Sequence, residues 1–177
     1  MIRTIVLDEG WTTTTQAEHG TLEKVTVLGL RAVLACTHFL PAGGHRPPRV
    51  AVTVQLAEPG DDPVLAPLQT PQPTGDDLDP LLAAHLGGRS GRAFVFPGMA
   101  GLDRIVTVAT LLSESAVDDV IGMGGVVARP TDRLDTQNHL RPEFITGRLV
   151  LRVRPSVGVD LVPFEQPNPT PCCASHG

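Results

Sequence analysis

The chain reads as a mainly β protein, an antiparallel sandwich or barrel-like fold with one or two short helices, and α+β as the alternative. Three observations lead there. Val50, Val52, Val54 and Leu56 alternate with Ala51, Thr53, Gln55 and Ala57, the period of two that places successive side chains on opposite faces of a strand. Seventeen prolines and eighteen glycines in 177 residues supply the turns that many short strands need. Only one segment carries a full set of helix start and stop signals, so the regular strand-helix alternation of a doubly wound sheet is missing.

Ile2 to Leu7 is the first expected strand, ended by Asp8-Glu9-Gly10. Trp11 follows as an anchor for a core or a subunit contact, because its ring carries so much apolar area. Thr12 to Thr15 is β-tolerant and reads as a second strand or a solvated loop. Two apolar arms, Leu22 to Leu40 and Arg49 to Ala57, then flank Pro41 to Pro48. The second arm is a strand by its alternation. In the first, Gly29 to Phe39 fits both periods and is taken as a strand on its β-branched residues. The connector, with two glycines and a double proline, is too long for a tight hairpin and forms an exposed loop.

Glu58 to Asp77 holds Pro59, Pro63, Pro67, Pro71 and Pro73 and is expected to run as an extended surface loop. The clear helix comes next. Asp79 serves as N-cap, Pro80 takes the first helical position where its missing N–H costs nothing, Leu81 to Leu86 follows, and Gly87-Gly88 closes it. Arg92 to Phe96, Arg104 to Leu112 and Gly124 to Ala128 are three further apolar runs, with strong β propensity in Ile105 to Ala109. Ser115-Ala116-Val117-Asp118 resembles a helix start, and Pro130 to Pro142 reads as a loop. In the last ribbon, Leu149, Leu151 and Val153 alternate with Arg148, Val150, Arg152 and Arg154, whose arginine side is expected to face solvent or else an acidic partner surface, and Val157, Val159 and Leu161 resume after Pro155-Ser156. The count is eight or nine short strands in one domain, residues 1–164, followed by a proline-rich tail, 165–177.

Composition narrows the function. A formal charge of −5 argues against a general nucleic-acid binder, which must neutralise phosphates. Thirteen of fourteen basic residues are Arg, a skew of the kind GC-rich codon usage produces and so no sign of a recognition surface. No charge-free apolar run approaches the roughly 18 residues of a membrane span, and Met1 to Asp8 enters strand-like alternation directly, so a cytoplasmic location is expected.

The tail carries the most distinctive chemistry. Gln166 to Pro171 has proline at every second position and presents Cys172, Cys173 and His176. Thiolate and imidazole are the donors that zinc and cuprous copper prefer. Cys36 and His38, two apart, share one face of a strand and are candidate further ligands. Gly87 to Arg92 and Gly122 to Val127 lack the spacing of phosphate or dinucleotide loops and read as turns. No nucleophile elbow or acid-base set stands out. The function expected from these features is that of a non-catalytic β-rich interaction or assembly protein, a homo-oligomer or a subunit of a larger complex. The alternative is a metal- or redox-responsive protein built on the five Cys and His residues named.

Overall fold

A computed structural model describes residues 3–43, 45–57 and 78–167. The elements run β1 (Arg3–Trp11), α1 (Thr14–Val27), β2 (Ala32–Leu40), β3 (Arg49–Leu56), α2 (Leu78–Leu86), β4 (Arg92–Val95), β5 (Ile105–Thr107), α3 (Val108–Glu114), β6 (Asp119–Gly122), β7 (Arg133–Asp135), β8 (Glu143–Ile145), β9 (Arg148–Pro155) and β10 (Leu161–Pro163). The ten strands among the described residues join one sheet in the order β1-β3-β2-β4-β8-β9-β10-β7-β5, with β6 attached to β9. The mainly β expectation therefore holds. Among the described residues, three α-helices decorate the sheet rather than one or two, and two strand pairs, β6 with β9 and β7 with β10, are parallel.

The first half is a layered unit. β3 lies between β1 and β2, antiparallel to both. Val50, Val52, Val54 and Leu56 face α1 and pack with Ile5, Leu7, Ala17 and Val25. Ala51, on the opposite face, packs with Leu40 and with Leu78 and Leu81 of α2. β3 is thus covered on both sides, where its alternation alone suggested one buried face.

The helix α1 is the main departure from the sequence reading, which gave Thr12–Thr15 to a strand or loop and Leu22–Leu40 to a strand. Thr13 is its N-cap, and its hydroxyl oxygen accepts from the Gln16 amide at 3.2 Å. The Gln16 side chain in turn accepts from the Thr12 amide at 3.1 Å. This is a variant of the reciprocal threonine-glutamine box that fixes a helix start. Its buried positions include Ala17, Thr21 and Val25, four apart, a stripe whose threonine and β-branched valine conceal it from a hydropathy reading. Trp11 packs over this helix against Gly20, as an anchor should.

α2 starts at Leu78 and keeps Asp79 and Pro80 in its first turn; Gly87 N–H donates to the Ala83 carbonyl at 3.1 Å as the helix ends. The run Ile105–Ala109 is strand only to Thr107, whose hydroxyl oxygen accepts from the Thr110 amide and caps α3. Ser115–Asp118 starts no helix. Ser115 closes α3, and the Asp118 carboxylate accepts from the Leu149 amide at 2.6 Å, delivering the chain to β6. Pro130–Pro142 contains β7, too short to betray itself. Gly124–Ala128 forms no strand.

β9 holds the second half together. Val150 pairs with Glu143 of β8 and with Asp119 of β6, so these two strands occupy opposite edges of β9. Val153 likewise pairs with Pro163 of β10 and Gly122 of β6. Leu149, Leu151 and Val153 join Leu111, Leu134 and Leu161 in the largest core, which reaches Cys36 and Ala93 in the first half. Among the described residues no helix is long and apolar enough to cross a membrane.

Candidate functional site: an open strand edge above a buried histidine pair

The ladder between β2 and β4 ends at Thr37 and Arg92, because β4 begins there. Beyond it, His38, Phe39 and Leu40 keep their β3 partners Ala51, Val50 and Arg49 on one side. Their other edge has no strand among the described residues. Alternation turns His38 and Leu40 inward, whereas Phe39 is 72% exposed. A hollow of about 650 Å³ lies along this edge, bounded by Leu81 of α2, the turn at Arg89–Gly91, and Phe144 of β8. A second, of about 330 Å³, lies between Phe39 and Leu40, Thr12 and Pro48. Phe39 therefore borders two grooves at the end of a ladder.

A polar cluster is sealed beneath. The Nε2 of His38 is 2.9 Å from the Thr53 hydroxyl, and the His85 ring stands edge-on to His38 with centroids 5.5 Å apart. Phe144 packs edge-on against the far side of His85 at 5.8 Å, and the Gln55 amide comes to 3.5 Å from its Nε2. Burial, with His85 adding repulsion, pulls the His38 pKa down to about 4. Burial lowers His85 too, partly opposed by the Ser90 backbone. Both rings are neutral at neutral pH.

Cys36 and His38 share a face, as their spacing requires, and both crowd against Gly91, whose backbone leaves no room there for a side chain. The group that lies beside both is Thr53, the cross-strand partner of Cys36, whose hydroxyl is 2.9 Å from the His38 Nε2. Burial pushes the Cys36 thiol up to about 12, so a thiolate ligand would form only against that cost. Among the described residues no three His, Cys, Asp or Glu side chains come together as a metal-binding group. Cys172, Cys173 and His176 lie outside the described residues, as does the proline-rich stretch 58–77. Cys36 and His38 thus supply two of the donors a zinc or copper site needs, with the His38 Nε2 already turned to Thr53.

A second polar cluster lies on the α1 side. Glu18, only 7% exposed, accepts from Arg92 at 3.1 Å and from two nitrogens of Arg141 at 3.1 and 2.6 Å. Arg92 also donates to Glu165 at 2.5 Å, which ties the segment after β10 to the body. The arginine face of β9 is not a single solvated stripe: Arg148 pairs with Asp119 at 3.2 Å and Arg152 pairs with Glu143.

His85 was within reach of sequence reasoning, since Leu78, Leu81 and His85 follow helical spacing on one face of α2. Thr53 and Phe144 were not, because only strand register and α2 docking bring them to His38 and His85. Comparison with protein-family models, with curated proteins and with solved structures gives no match.

Proposed function

We propose that the chain is a non-catalytic interaction protein that takes up an extended segment of a partner protein along His38–Leu40. The single observation behind this reading is Phe39, 72% exposed on a strand edge that has no neighbour among the described residues. Unpaired amides and carbonyls along an edge are a template for one more strand. An exposed aromatic at that edge supplies the large, rigid contact area on which binding energy concentrates. The grooves on either side of Phe39 offer room for alternate side chains of the incoming strand. Pro41, directly after the edge, has no amide hydrogen and would limit the added strand to a short register.

Native mass spectrometry of gently purified protein and of Phe39→Asp tests this, with amide hydrogen exchange over residues 38–40. A partner chain retained by the wild type, lost in the variant, and protecting these amides is the expected outcome. A homodimer that the same substitution dissolves would make the occupant a second copy of this chain. A wild-type monomer without partner, or a partner that survives Phe39→Asp, overturns the reading.

A further inference from the structure

Away from the β2 edge, a cavity of about 510 Å³ lies between the start of α1 and the end of β9, lined by Thr14, Thr15, His139, Arg154, Phe164 and Glu165 among others. Arg154 is half-buried in its wall and has no carboxylate or hydrogen-bond partner among the described residues. The nearby carboxylates are already engaged. Arg92 and Arg141 share Glu18, and Arg92 also holds Glu165. Three guanidiniums, Arg92, Arg141 and Arg154, therefore stand against two carboxylates, Glu18 and Glu165, leaving one positive charge over in a chain whose formal charge is −5. A cation partly withdrawn from water is stabilised when an anion completes it.

We propose that this cavity binds a small molecule bearing one carboxylate. The planar fork of Arg154 takes both carboxylate oxygens, the geometry to which a guanidinium is suited. Thr14 and Thr15, which also line the cavity, add hydroxyl donors, and the exposed ring of Phe164 covers an apolar portion of the ligand. A monoanion fits better than a phosphate, because the single excess charge matches it and Glu18 and Glu165 repel a second negative charge. The volume is that of an ordinary small-molecule pocket. This site is independent of the strand edge at Phe39.

Benzoate is the probe, since it offers a carboxylate beside an apolar ring; benzamide is its neutral counterpart, and inorganic phosphate the competing anion. Titration calorimetry on the whole chain is expected to show one benzoate site, weakened at least tenfold in Arg154→Gln and less in Arg154→Lys, which keeps the charge but loses the fork. Because Arg154 holds no partner among the described residues, neither substitution breaks a bond there, and circular dichroism checks that each variant folds. Absence of a saturable benzoate site, equal binding by benzamide, preference for phosphate, or undiminished binding in both variants would each overturn the assignment.

Discussion

Arg141 places two nitrogens of its guanidinium on the two carboxylate oxygens of Glu18, at 3.1 and 2.6 Å, across 123 residues of sequence. Glu18 is also the counter-charge of Arg92, so one carboxylate in α1 fixes the start of β4 and the segment leading into β8. Replacing it with Gln keeps the shape and leaves two largely buried cations short of an anion. Breaking such a buried pair typically costs about 3–5 kcal/mol, and Glu18→Gln is expected to fall near the lower end, read as a drop in the urea midpoint. A variant as stable as the parent would show that these arginines are solvated.

Acid should weaken the fold through His38. Its folded pKa, about 4, lies below the ordinary 6.5. The unfolded chain therefore binds a proton below 6.5 while the folded chain does not until about 4, and stability falls as pH drops through that window. The full effect of this one ring is about 3 kcal/mol. His85 and His139, whose pKa values are also lowered, act in the same direction. Denaturation at about pH 7.5 and about pH 5 should reveal the loss, and His38→Gln should flatten the slope without abolishing it. An unchanged slope in that variant would assign the effect elsewhere.

Two glycines with left-handed backbone separate conformational cost from packing cost. Gly124 has φ +71° and open space where a Cβ would stand. Gly98 has φ +83°, and a Cβ there would lie 2.0 Å from the Glu114 carbonyl oxygen at the end of α3. Both pay about 1–2 kcal/mol when changed to Ala. Gly98→Ala must in addition push α3 away, so its loss is expected to exceed about 3 kcal/mol, against about 1 for Gly124→Ala. Thermal or urea denaturation of the two variants distinguishes them.

The parts of the fold that were legible in the sequence are those in which local pattern and tertiary demand agree. The alternation of Arg49–Ala57 is β3, Pro80 and Gly87 mark the two ends of α2, and the arginine-leucine ribbon ending at Pro155 is β9. α1 escaped because its buried stripe is Ala17, Thr21 and Val25 beside the charged Glu18, residues that read as polar or β-forming until the sheet covers them. β5 and β7 are three residues each, too short for a period, and exist because each has the other as a partner. For the site, one strand's geometry was enough to put Cys36 and His38 on a common face. The exposure of Phe39 depends on where β4 begins, a tertiary fact that no spacing within β2 records.

The place of β9 in the sheet also bears on how the chain is born. Synthesis proceeds from the N-terminus, and domains acquire structure in that direction as they emerge. β1, α1, β2 and β3 can assemble once Leu56 is out, since each finds its partners within that length. Among the described residues, β6 is made well before β9, the one strand it pairs with, and β7 and β5 join the rest of the sheet only through β10. The nascent polypeptide therefore carries Asp119–Gly122 unpaired through some 27 residues of elongation, until Val150 arrives. Any ribosome-associated chaperone that attends this chain would find Asp119–Gly122 open over that interval.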